Sequence, residues 1–394
     1  MQLKPRSALA ALSACALSLP GLAAEPPPDA ELRYQFNQYR EADNPGARTS
    51  GGNDSPRYEI DSHQLIWRQP LLDDGREWGL TAEYETLSGA SPWFVTEEDS
   101  RPLQVMSGAT IDEQRYVVNA LHRWYGPAGY STLSGGTSIE NDYRSLSVGV
   151  DQSRDSETRR FTFSYGLSAS LDEIEPTDGG PDGRFPTRID SASKRSFSGF
   201  LGVSDTLNRR SIVQYGLGLT RHGGYLSDPY KLAEVAGVAV QDNRPDARTQ
   251  VTVSVRLRHA LASARTVLHA DYRWYTDDWN IDAHTVDLLA LQPLTDGLRA
   301  ELGLRYHSQS QAGFYQPFYR AERQDGFYSS DYRLSPYGAL SFRAGLNQDW
   351  ARVTVGLHVE HYQSKGNLAL GKVEVEHPGL VEFTTLSLRF AWRY

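Results

Sequence analysis

Long stretches of this chain alternate apolar and polar residues with a period of two. Leu298, Ala300, Leu302, Leu304 and Tyr306 fall on one face of such a stretch, and Arg299, Glu301, Gly303 and Arg305 on the other. The pattern recurs at 161–171, where Phe161, Phe163, Tyr165 and Leu167 oppose Thr162, Ser164, Gly166 and Ser168. It recurs again at 213–220, 251–258 and 351–360. Period two is the signature of strands with one apolar and one polar face. Such strands occur in sandwiches and in barrels that face lipid outside and water inside. Two features select the barrel. The stretches run about ten to thirteen residues, where sandwich strands usually run about five or six. Their polar faces are rich in charge, which suits a hydrated lumen.

The connections alternate between short and long. Short ones fall at 70–76, 126–129, 153–158, 205–210, 260–264, 292–297 and 346–349. Long ones fall at 41–57, 89–112, 172–193, 223–247, 310–331 and 364–379, with two tight turns on the same side at 140–142 and 277–280. Short periplasmic turns and long outer loops are the asymmetry of outer-membrane barrels. The fold class predicted is all-β, a transmembrane antiparallel barrel. Seven short turns and eight outer connections give about sixteen strands; fourteen or eighteen stay open, because the stretches before residue 75 and at 113–141 alternate poorly.

The two ends of the chain agree. Lys4 and Arg6, then apolar Ala8 to Leu19, then Ala23 and Ala24 form a signal peptide over 1–24, followed by a short Pro-rich leader over 25–30 and a single barrel domain over 31–394. Leu12-Ser13-Ala14-Cys15 also has the shape of a lipidation site, but apolar residues continue past Cys15 to Leu22, as in an ordinary leader. At the other end Leu386, Leu388, Phe390, Trp392 and Tyr394 alternate with Ser387, Arg389, Ala391 and Arg393. A last strand ending on an aromatic resembles the signal taken by the outer-membrane assembly machinery, so Phe390, Trp392 and Tyr394 are the expected contact. The location expected is the outer membrane of a Gram-negative bacterium, with its lipid as the surrounding partner.

Composition removes several functions. Cys15 is the only cysteine, so no disulfide framework or Cys-based zinc site can form in the barrel. The net charge of −9, with no basic run longer than Lys194-Arg195 or Arg209-Arg210, excludes nucleic acid as a partner. No stretch of about 18 apolar residues follows the leader, which excludes a helical membrane protein. The 22 tyrosines, 8 tryptophans and 34 glycines suit a barrel with aromatic girdles.

The candidate residues divide by place. Asp277, Asp278 and Asp282 crowd one tight turn with Asn280, and hard oxygens at that spacing are weak candidates for calcium; a solvated turn is the plainer reading. Tyr225, Asp228, Tyr230 and Lys231, with Tyr328, Asp331 and Tyr332, are rim candidates for a ligand. Asp228-Pro229 is also an ordinary turn initiator. The loop from Gln311 to Tyr337 is dense in aromatics and reads either as part of the outer girdle or as an inward constriction. Arg256, Arg258, Arg299, Glu301, Arg305, Arg352, His358, Glu360, Arg389 and Arg393 are expected in the lumen, where they filter solutes or pair with one another. His307-Ser308 is the residual candidate for a hydrolase, without a nucleophile elbow. No cofactor motif is present.

Glu140-Asn141-Asp142-Tyr143, DEIEPTD at 172–178, LSDPYK at 226–231, DYRWYTDDW at 271–279, YSSDYRLSPYG at 328–338 and PGLV at 378–381 occur together. In this combination the chain resembles the bacterial domain-of-unknown-function family numbered thirty-five seventy. The resemblance implies an envelope setting with a hint of redox linkage, and supplies no catalytic residues. The function expected is a pore or solute-transport barrel with a charged lumen; the alternative is a scaffold for a periplasmic or lipoprotein partner.

Overall fold

The computed structural model describes residues 26–394, so the signal peptide over 1–24, with Cys15, lies outside the described residues. Its strands are β1 (Glu31–Glu41), β2 (Glu59–Leu71), β3 (Arg76–Glu98), β4 (Arg101–Gly126), β5 (Gly129–Ile139), β6 (Tyr143–Asp155), β7 (Phe161–Ile174), β8 (Ala192–Asn208) and β9 (Ser211–Gly224). They continue as β10 (Leu232–Val235), β11 (Val238–Gln241), β12 (Ala247–Leu261), β13 (Thr266–Asp277), β14 (Asp282–Pro293), β15 (Leu298–Gln309), β16 (Tyr337–Trp350), β17 (Val353–Lys365) and β18 (Glu382–Arg393). Sixteen of them close one antiparallel barrel in chain order; β10 and β11 form a separate hairpin inside an outer loop.

Closure comes from the first strand meeting the last. Phe36 pairs with Leu388 and Tyr34 with Phe390, and Tyr394 and Ala30 exchange backbone hydrogen bonds at 3.0 and 3.1 Å. The alternation read from the sequence sets the faces. Leu146, Leu167, Leu201 and Leu302 stand exposed on the outer wall, while Ser145, Ser164 and Ser204 of the same or neighbouring strands are buried on the inner one. An apolar belt of this kind has no reason to face water and matches a lipid surround. No helix among the described residues is long and apolar enough to cross a membrane, which has no bearing on a barrel.

The seven short turns are at the end that holds both termini, at 72–75, 127–128, 156–160, 209–210, 262–265, 294–297 and 351–352. The outer end differs from the sequence reading at 89–112. That segment is not a loop: β3 and β4 stay paired to Glu98↔Arg101, so the hairpin stands well above the wall. Asp99 and Ser100, with φ of 49° and 61°, make the two-residue left-handed turn that matches strand twist.

This extension bends inward. Gly89 marks the bend, with φ of 119°, and a Cβ there would sit 2.2 Å from the carbonyl oxygen of Arg57. Register shifts follow between Ala90 and Pro92 and between Pro92 and Phe94. Bulges turn a strand and sharpen its twist. Gly89→Ala therefore has no room. It is expected to loosen the lean of 92–98 by about 2 kcal/mol, visible as roughly thirtyfold faster amide exchange in that segment.

Candidate functional site: the capped outer mouth

Four outer segments meet over the mouth of the lumen: the β3–β4 extension, the 225–246 loop with its β10–β11 hairpin, the 310–336 loop and the 366–381 loop. Backbone bonds lace them together. Tyr319 N–H donates to the Glu234 carbonyl at 2.8 Å, and Ala236 N–H to that of Tyr319 at 2.7 Å. Asn243 and Tyr328 bridge the same two loops. The Ser330 hydroxyl donates to the Leu232 carbonyl at 3.0 Å, and the Lys231 ammonium to that of Pro92 at 2.9 Å. Ala233, Val235 and Tyr319 form one small core, and Trp279, Ile281, Phe314, Tyr315 and Leu334 another.

Between these cores lies a largely buried charge network, in which only Arg333 keeps a partly exposed side chain, at 26%. Asp331 accepts from Arg244 at 2.9 Å and from the Arg333 Nε at 2.8 Å, and caps its own 3-10 turn by accepting from the Arg333 N–H. Asp228 takes a second Arg333 nitrogen at 2.9 Å and Asp242 takes Arg244 at 2.8 Å. With Lys231 the set is three cations and three carboxylates. Asp228, Lys231, Asp242 and Asp331 are all within 5% of complete burial. Burial alone would raise the Asp331 carboxyl, yet Arg333, Lys231 and Arg244 hold it well below the usual carboxylate range. Burial pulls the Lys231 ammonium down, against Asp331 and Asp228. Such pairs hold only as a complete set, because a lone charge here has neither partner nor water.

His377 pins the fourth segment. Its Nε2–H donates to the Ser330 carbonyl at 2.8 Å, and its Nδ1 accepts from the Gly379 N–H at 2.8 Å, which fixes a neutral ring. Burial pulls its pKa down to about 4. Below the cap the buried Arg57–Glu41 pair, at 2.7 Å, sits beside the Tyr332 ring. There a cavity of about 290 Å³ opens between the cap and the barrel wall, lined by Tyr39, Tyr332, Tyr337, Tyr362, Glu85 and Glu113.

Each rim candidate thus has a structural task in the cap. Lys231 and Asp228 are buried pins rather than ligand-facing groups. Tyr230 donates to Asp142 and lies under the Arg188 guanidinium, 4.6 Å from its ring centre. Tyr225 packs on the Tyr143–Ile174 cluster, and the Tyr328 hydroxyl accepts from the Arg323 N–H at 2.9 Å. The girdle reading of the aromatic loop gives way here: Phe314, Tyr315 and Tyr319 are buried in the cap, and Tyr332 faces the cavity.

Three further expectations are corrected. Asp277 organises its turn instead of holding a cation. It accepts from Arg248 at 2.9 Å, from the Tyr275 hydroxyl at 2.6 Å and from the N–H groups of Trp279 and Ile281. Asp278 accepts from the Thr249 N–H at 2.8 Å, and Asp282 takes no part with them; no group of three such ligands gathers among the described residues. Arg352 is in a short turn at the periplasmic end, exposed, and not in the lumen. His307 and Ser308 are neighbours on a strand and so point to opposite faces. His307 meets Thr285 inside at 3.0 Å, while the Ser308 hydroxyl accepts from the Leu370 N–H outside.

The remaining lumen candidates do line the inner wall, and most are paired. Arg258 bonds Asp271, Arg305 bonds Asp287 at 2.6 Å, Arg299 lies 3.7 Å from Asp349, and Glu360 accepts from Ser341. Glu301 accepts from Asn347 at 2.8 Å and lies 3.6 Å from His358, which also meets Arg389. Pairing has not dried them. Arg305 and Arg393 keep 46% and 53% of their side-chain surface exposed, against 0% for Asp242 and Asp331 in the cap. The charges of the lumen are accessible, whereas the carboxylates of the cap are buried.

The sequence profile of a family described as "Protein of unknown function (DUF3570)" matches residues 9–386. The chain belongs to that family. Solved structures similar to the DUF3570 barrel share little sequence identity with it. A mutant of the ferric enterobactin receptor PfeA from Pseudomonas aeruginosa is 12% identical, covering 87% of this chain and 54% of the receptor, with a TM-score of 0.44. A bacterial polysaccharide outer membrane secretin is 11% identical over 93% of this chain and 98% of its own, with a TM-score of 0.48. The siderophore receptor PirA from Acinetobacter baumannii is 8% identical over 86% and 53%, with a TM-score of 0.43. The DUF3570 barrel thus spans about half the length of the receptors it resembles. No curated protein matches it in sequence.

Arg244, Asp242, Arg333, Arg57, Glu41 and His377 are the residues that reading the sequence missed. Their partners are far off along the chain: Arg244 is 87 residues from Asp331, and Asp228 is 105 from Arg333. No periodicity connects loops at that separation.

Proposed function

We propose that this DUF3570 protein is a gated solute-transport barrel of the outer membrane, exported with cleavage of its leader. The contrast between an accessible, charged lumen and a largely buried interlocked cap supports this reading. A barrel of about sixteen strands leaves an aqueous channel unless something fills it. Here the outer loops fold over the mouth and are held by a balanced set of charges, so that unlacing them would open it. The exposed aromatics Phe390, Trp392 and Tyr394 on the closing strand support delivery by the assembly machinery.

The test is conductance of the refolded mature chain in a planar bilayer. The intact chain is expected to stay mostly closed. A variant with residues 312–334 replaced by a short Gly-Ser linker is expected to conduct steadily. A linker variant that folds, by heat-modifiable migration, and still passes no ions would overturn the transport reading and favour a scaffold for a periplasmic or lipoprotein partner.

A further inference from the structure

The closed ring places each strand of β2–β6 eight places from one of β12–β16, so β4 stands across the lumen from β14. The two facing walls carry opposite charge. The inward positions of β12–β16 hold seven arginines against five carboxylates. Those of β2–β6 hold three arginines against six carboxylates. The difference shows in the pairing. Glu83 and Glu85 share one nearby cation, Arg115, which bonds Glu85 at 3.0 Å. On the far side Arg305 and Arg343 both bond Asp287. Arg256 and Arg273 on the adjoining strands have no carboxylate within ion-pair distance among the described residues. Just above the acidic wall, Glu140 adds no full charge near neutrality, because burial pushes its carboxyl up to about 8.

A field across a pore acts differently from a net charge within it. A lumen of one sign concentrates ions of the other sign. Two facing walls of opposite sign give a lone ion attraction at one wall and repulsion at the other. A molecule carrying both charges gains at both walls, and is oriented as it passes. We propose that this transverse arrangement selects small zwitterionic solutes of the amino-acid kind, with the ammonium turned to Glu83 and Glu85 and the carboxylate to Arg256 and Arg273. The proposal rests on the transport reading and names its substrate class.

Alanine and lactamide make the test, since they are isomers of equal size and only alanine is a zwitterion at pH 7. Proteoliposome swelling is measured with the linker variant that opens the cap. Alanine is expected to enter at least about threefold faster than lactamide. Replacing Glu83 and Glu85 with Gln, or Arg256 and Arg273 with Gln, is expected to bring the ratio close to one. Equal rates before substitution, or a ratio that survives both double substitutions, overturn the zwitterion proposal and leave the transport reading standing. No swelling with either solute, from a barrel shown to be folded, removes the transport reading and the proposal with it.

Discussion

Asp331→Ala is expected to release the cap while the sixteen-strand wall stays closed. Asp331 is the centre of the network, accepting from both Arg244 and Arg333 and facing Lys231. Its removal leaves three cations against two carboxylates in a largely buried site. Removing one partner from a buried ion pair costs about 3–5 kcal/mol, mostly through the charge left behind. The wall does not share that loss, because its strand ladders close independently of the outer loops. Limited proteolysis reads the difference. Cleavage within 311–336 should rise roughly a hundredfold or more, since protease tracks the open population when opening is fast. Asp331→Asn keeps the shape and loses the charge, so it should fall on the same side of wild type. Cleavage at the wild-type rate in both variants would show that the network does not hold the cap.

Acid should loosen the same structure through His377. The ring is buried between the 310–336 and 366–381 loops, edged by Tyr315 and Tyr332, and within reach of the charges of Asp331, Lys231 and Arg57. Its Nδ1 accepts a backbone hydrogen bond, so a second proton has nowhere to go without breaking it. Burial sets the folded pKa at about 4, below the roughly 6.5 of a free histidine. The unfolded loop therefore binds the proton more tightly. The stabilisation is complete above pH 6.5 and is lost as the pH falls from there towards about 4, up to about 3 kcal/mol. Amide exchange at Ser330 and Gly379, followed from pH 7 to 4.5, should accelerate beyond the intrinsic pH effect. His377→Gln should start faster and show a flatter profile. Parallel profiles for wild type and variant would remove His377 as the acid-sensitive contact.

Legibility differed sharply between wall and cap. The wall is local in its physics. Each strand's alternation is a statement about its own residues, as with Leu302 against Glu301, and the turn lengths order the strands. The facing of Arg305 and Glu360 into the lumen follows from the same period. The failures on the wall are at its ends, where Arg352 slipped from strand to turn and 89–112 continued as a hairpin. Pro92 and the Gly89 bend break the alternation there, so the period offers nothing to follow.

The cap has no such rule. Loops 225–246 and 310–336 are held by pairs about a hundred residues apart, and their aromatic and Asp-rich sequences suit a girdle, a ligand rim or a packed plug equally well. What decides among these is desolvation: once Asp228, Asp242 and Asp331 are removed from water, only a matched set of cations makes the arrangement stable. That match exists only in three dimensions. The sequence by itself determined a lipid-facing barrel of about sixteen strands with a charged lumen, because the hydrophobic effect acts on each strand separately; closure at sixteen came with the structure. Only the tertiary structure decided that the outer loops interlock into a buried cap, and that β2–β6 meet β12–β16 with opposite charge, because burial and electrostatics depend on which residues the closed ring brings face to face.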